Sequence, residues 1–273
     1  MSCLYEINRW WRSHVNLWTL YLLFLGQMVS FVLAMGSITS SLVASLGVDA
    51  PLTQSSFNYL ALALIYGSIL LYRRQKLQVS WYWYLLLGFV DVQGNYLGGS
   101  KPVLGDFLVI AGTIFFALSN VGEEFCVKKK GRVEVVAMIG VYGFLVSAVE
   151  LSIVELKSLE AVAWSKDIVF AIAGYTLSMF LFYSLAPFVL KLSGATMFNL
   201  SILTADMWAV VFRVFFYHQQ VDWLYFLSFA IVAIGLIIYS LTEEGERGSS
   251  PAPPDGDSNA EYQVLHENAE VGL

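Results

Sequence analysis

Residues 15–48 read VNLWTLYLLFLGQMVSFVLAMGSITSSLVASLGV and contain no charged side chain. About 20 predominantly apolar residues carry an α-helix across the ~30 Å hydrocarbon core of a bilayer. This run is longer than that, and lipid is the solvent that suits so much apolar surface on one element. Its second half, with Gly36, Ser37, Thr39, Ser40 and Ser41, is polar enough to face protein or water. Asp49-Ala50-Pro51 is the expected stop, because the residue before a proline is pushed out of helical geometry. The run also exceeds the apolar core of a secretory signal. It is therefore expected to remain as a first membrane helix and to act as its own insertion signal.

The same reading continues along the chain. Apolar stretches predict helices over residues 15–47, 52–72, 81–97, 103–127, 133–149, 168–190, 195–216 and 223–241. The expected fold class is an all-α polytopic membrane protein with about eight crossings. Pro187 is an expected kink, and an acidic linker with Glu150, Glu155 and Glu160 is expected before the sixth helix. Residues 1–14 form a cytosolic lead-in, where Trp10 and Trp11 suit the headgroup level. Residues 15–242 form the transmembrane domain. Residues 243–273, rich in Ser, Pro, Gly and acid, are expected to be a disordered cytosolic tail.

Composition agrees: of 273 residues, 58% are hydrophobic and only 13% charged, against about 25% charged in a soluble domain. The net charge of −6 belongs to the tail, where eight acidic residues from Glu243 onward face one basic residue, Arg247. Residues 1–242 are left at +1, so no cationic ligand or nucleic-acid partner is implied. Basic residues set the orientation. With a cytosolic N-terminus, Arg9, Arg12, Arg73, Arg74, Lys76, Lys128, Lys129, Lys130, Arg132, Lys191 and Arg247 fall inside, against Lys101, Lys157 and Lys166 outside. An even number of helices then puts both termini in the cytosol. Cys3 and Cys126 both fall on that reducing side, so no disulfide is expected.

Polar groups inside hydrocarbon are costly and face a cavity or a partner. In the third helix Asp91 and Asn95 are four apart and share a face. In the fourth, Asn120 pairs with Glu124 and Ser119 with Glu123 at the same spacing. A salt network with Lys128, Lys129 and Lys130 is the simpler account of those glutamates. In the seventh, Asn199, Asp206 and Arg213 are seven apart and would share one face of a continuous helix. Asp206 would bind a substrate hydroxyl or a proton, or make a structural bond within the bundle. The candidate substrate-binding residues are thus Asp91, Asn95, Asn120, Glu124, Asn199 and Asp206. No nucleotide loop, metal cluster or catalytic triad is legible, so no enzyme activity, cofactor or metal is expected. Tyr262-Gln263-Val264-Leu265 has the form of a tyrosine-based sorting signal, with Tyr262 and Leu265 as its anchors, although so short a match is common by chance.

Three stretches carry a family resemblance: Gly88-Phe89-Val90-Asp91-Val92-Gln93-Gly94-Asn95; the segment from Ser119-Asn120-Val121-Gly122-Glu123-Glu124 to Lys129; and Ala195-Thr196-Met197-Phe198-Asn199-Leu200-Ser201 with Asp206-Met207-Trp208-Ala209-Val210. They resemble the F subfamily of solute carrier family 35, in a plant-like version, within the drug/metabolite transporter superfamily. The resemblance implies ten helices in two inverted five-helix repeats, with substrate held between repeats. Here the chain passes from Asn95-Tyr96-Leu97 directly to Gly98-Gly99-Ser100-Lys101-Pro102, and two helices of the first repeat are missing. Removing a pair preserves the parity of the topology and leaves halves of three and five. The implied function is secondary transport of a small organic solute, with nucleotide sugars as one class. The membrane is an endomembrane (Golgi, endosome or vacuole) or the plasma membrane. The uneven halves open a second reading: a non-transporting partner or competitor of a full-length relative, in a homodimer or heterodimer.

Overall fold

A computed structural model describes residues 17–74, 80–98, 105–129, 131–160, 162–217, 223–224 and 226–235. The lead-in 1–14, the turn at 99–102, the tail 243–273 and the pair Tyr262 and Leu265 lie outside the described residues. Among those described, every regular element is a helix: α1 (Leu17–Ser45), α2 (Pro51–Tyr72), α3 (Trp81–Gly98), α4 (Gly105–Lys129), α5 (Arg132–Val154), α6 (Leu156–Glu160), α7 (Lys166–Ile202) and α8 (Ala205–Tyr217). A shorter apolar helix, α9, covers Phe226–Gly235. The described helices belong to one unit, Asn16–Leu236.

Local chemistry sets the ends. α1 stops before Pro51 because Gly47 takes φ +87°, and the amides of Gly47 and Val48 then bond back to Ala44 and Val43. That paired closure is a Schellman motif, which a glycine in the left-handed region makes cheap. Pro51 opens α2, where its missing N–H costs nothing. Ser165 caps α7 by accepting from the amide of Ile168 at 3.3 Å.

Two expectations are corrected. The linker expected from residue 150 is helical: α5 runs to Val154 and α6 follows, because Leu151, Ser152, Ile153 and Val154 contain nothing that breaks a helix. Helical dihedrals also run through Pro187, and the break in α7 comes at Gly194, with φ +80° and ψ +167°. A glycine supplies that conformation without steric cost.

Five segments are each long and apolar enough to cross a membrane: Leu20–Ser45, Pro51–Tyr72, Ile110–Lys129, Arg132–Val154 and Lys166–Ile202. Large apolar side chains on their outer faces, among them Leu64, Ile153, Phe170 and Leu177, are exposed. Thr53, Gln54, Ser55, Ser56 and Asn58 of α2 are buried instead. This is the arrangement lipid demands, since a polar group facing hydrocarbon costs more than one bonded inside the bundle. The chain is an all-α polytopic membrane protein. α2 packs most extensively on α5, α1 on α7 and α3 on α4, and α4 also packs on α7. At the α2–α5 contact, a Cβ on Gly143 would sit 2.7 Å from the ring of Tyr59. Only a glycine lets that ring lie where it does.

Candidate functional site

The seated Tyr59 ring directs its hydroxyl at α3, where Asp91 is only 4% exposed. Tyr59 donates to Asp91 Oδ2 at 2.6 Å, and Tyr183 of α7 donates to the same oxygen at 2.5 Å. Ser119 of α4 donates to Oδ1 at 2.8 Å. One carboxylate thus gathers hydroxyls from three other helices. Asn95, one turn along α3, donates its amide to both phenol oxygens, at 2.7 Å to Tyr59 and 3.0 Å to Tyr183. The predicted pairing of Asp91 and Asn95 on one face is present, completed by three hydroxyls that sequence reading did not assign. Every group in the cluster can both accept and redirect a hydrogen bond, except the carboxylate, which accepts.

Asn120, Glu124 and Asn199 come together at a second place, between α4 and the part of α7 beyond Gly194. Asn120 donates to Asn199 Oδ1 at 2.5 Å. Glu124 accepts the backbone N–H of Ala195 at 2.7 Å and pairs with Lys128. The carboxylate therefore caps the helical segment that restarts after Gly194, satisfying one of its orphan amides.

Asp206 stands apart from this pattern. It is exposed, in the first turn of α8, where an acid complements the helix dipole. The shared face of Asn199, Asp206 and Arg213 is corrected: α7 ends at Ile202, and α8 begins at Ala205. Thr204 occupies the junction. Its carbonyl accepts from Met207 and Trp208, and its hydroxyl exchanges bonds with Gln27 of α1. A threonine at this position is a favoured N-cap, and Thr204 followed by Asp206 is the signal that could have located the break.

An apolar groove of about 530 Å³ lies between α2 and α7, walled by Phe57, Ile65, Trp164, Val169, Leu177 and Phe180 among others. None of the candidate residues lines it. Among the described residues no group of three or more His, Cys, Asp or Glu side chains is placed to hold a metal ion.

Comparison with known proteins adds a family. The model for solute carrier family 35 matches residues 15–98 and 97–241, two pieces that meet at Leu97–Gly98. Solute carrier family 35 member F2 of Mus musculus is 30% identical over 305 residues, covering 84% of this chain and 81% of that protein. The Xenopus tropicalis protein of the same name is 27% identical, with 80% and 75% covered. An uncharacterised solute carrier family 35 member of Schizosaccharomyces pombe is 32% identical over 187 residues, with 63% of this chain and 37% of that protein covered. Because 84% of 273 residues is about 229, roughly 76 of the 305 positions aligned with the mouse protein face no residue here.

Proposed function

The chain belongs to solute carrier family 35, in its F group, and from that premise we propose that it carries a small organic solute across its membrane by secondary transport, with Asp91 as the polar centre of the path. The carrying observation is the buried Asp91 carboxylate held by hydroxyls from α2, α4 and α7. Transport requires a polar site that separate helices close over and release, and bonds made by side chains of different helices can be exchanged for bonds to a solute hydroxyl or amine. In this conformation the cluster is closed. The second cluster, Asn120, Glu124 and Asn199, would contribute at the break of α7. Nucleotide sugars are one substrate class to include. Both termini are assigned to the cytosol from the basic residues, and the compartment to an endomembrane or the plasma membrane. Tyr262 and Leu265 would serve as a sorting signal.

Uptake of a metabolite panel into proteoliposomes tests this, with Asp91→Asn and Asp206→Asn beside the parent. Removing the charge-assisted bonds at Asp91 forfeits about 1.5–3 kcal/mol for each, so uptake by Asp91→Asn is expected to fall about 100-fold or more. Equal uptake by parent and Asp91→Asn removes Asp91 from the mechanism, and equal uptake by Asp206→Asn does the same for Asp206.

A second reading rests on the break at Leu97–Gly98 and the roughly 76 unmatched positions. That length accommodates two membrane helices and their connections. On this reading the chain is a partner or competitor of a ten-helix relative. Co-purification with such a relative supports it; a monomeric chain that transports alone rules it out.

A further inference from the structure

Glu123 has no part in either cluster, yet it is 3% exposed and its Oε1 has no hydrogen-bond partner among the described residues. It follows Ser119 by four residues and shares its face of α4, and Ser119 is bonded to Asp91. Neither Glu123 nor Asp91 has a salt-bridge partner among the described residues. An ionised carboxylate buried with neither a cation nor a donor on its free oxygen is costly, and a bound proton removes that cost.

The surroundings extend the pair in both directions. Cys126, three residues after Glu123 on α4, is buried as well. Glu134 is buried in the first turn of α5 and accepts from Tyr84 at 2.9 Å. From α7, Tyr183 donates to Asp91; from α5, Glu150 accepts from Gln93 on α3. Toward the start of α2, Gln54 and Asn58 stand one turn apart, each with a buried side-chain oxygen that no donor satisfies among the described residues.

We infer that Glu123, paired with Asp91 through Ser119, is a buried proton site and that this proton is the coupling ion of the transport cycle. The inference rests on the transport reading for its second half only. On one side of the membrane a water O–H⁺ bond breaks and a carboxyl O–H bond forms. On the other side the carboxyl O–H bond breaks and the proton returns to water. The pair keeps its heavy-atom bonds throughout and nothing is oxidised or reduced. With one proton moved per solute, a gradient of about one pH unit drives accumulation up to about tenfold.

Two measurements separate the site from the transport reading. In purified, solute-free protein, infrared difference spectroscopy reads the carbonyl band of a protonated carboxylic acid as pH is stepped. The band should titrate in the parent, vanish in Glu123→Gln and return, shifted, in Glu123→Asp. Absence of the band in the parent, or an unchanged band in a monodisperse Glu123→Gln, overturns the site. In proteoliposomes, the ratio of uptake with and without an imposed pH gradient should exceed one in the parent, fall to one in Glu123→Gln and recover in Glu123→Asp. A parental ratio of one, or a ratio kept by Glu123→Gln, overturns the coupling. If no member of the panel enters parental vesicles under either condition, the transport reading and the coupling fall together, while the infrared titration still decides the site.

Discussion

Asp91 and Glu155 are equally buried, each 4% exposed, and each carboxylate receives three hydrogen bonds. Their donors differ. Glu155 accepts the backbone amides of Leu52 and Thr53 at 2.8 and 2.9 Å, and the hydroxyl of Thr53 at 2.8 Å. All three come from the first turn of α2, where amides have no partner within the helix. Asp91 is held by side-chain hydroxyls from three different helices. Backbone amides at a helix start are fixed in direction. Hydroxyls rotate, and helices that meet only through them can part without breaking their own ladders. Burial and bond count are the same at both sites, so the type of donor separates a rivet from a site that can rearrange.

Several substitutions would break or sharpen that contrast. The largest expected effect is the loss of uptake in Asp91→Asn, about 100-fold or more per folded molecule, because the charge-assisted bonds are lost while the one remaining amide oxygen still accepts at the site. Glu155→Ala should show the reverse. Loss of the cap leaves buried amides unsatisfied and costs about 2–3 kcal/mol of stability, read as a lower melting temperature in detergent, while uptake per folded molecule persists. If Glu155→Ala instead lowered uptake at unchanged stability, the contrast would collapse. Gly143→Ala pushes a methyl against the Tyr59 ring and should cost about 1–3 kcal/mol through overpacking. It should also weaken uptake, because the ring carries one of the three donors to Asp91. Tyr183→Phe removes a single hydroxyl and should lower uptake least, about tenfold, corresponding to roughly 1.4 kcal/mol, with stability nearly unchanged.

Much of the scaffold was legible from residues alone. Hydropathy pointed to an all-α polytopic membrane protein, because lipid rewards apolar residues on every outward face. Asp91 with Asn95 followed from helical spacing, and the family resemblance pointed to the same segments that the family comparison later matched. Contacts between helices were not legible. Tyr59 and Tyr183 read as two of many aromatics, and only their packing against Gly143 and beside Asp91 distinguishes them. Asn120 and Asn199 were each marked separately, with no sign in the spacing that they bond to one another. Glu155 read as linker charge, because a cap supplied from a distant part of the chain leaves no local pattern. The α7–α8 junction was missed for a different reason. A sevenfold spacing took precedence over the threonine and aspartate that open a new helix.

The break at Gly194 has a further consequence, set by the thickness of the bilayer. From Lys166 to Ser193 there are 28 residues, about 42 Å of helix at 1.5 Å each. That equals the ~40–45 Å of a bilayer with its headgroups. With Lys166 at one surface, Gly194 would fall at the other, beside the Glu124 cap on Ala195. Thinner lipid would tilt the long helix and carry this anchor sideways across the end of α4. The length of the surrounding acyl chains becomes a physical setting on the geometry where α4 meets α7.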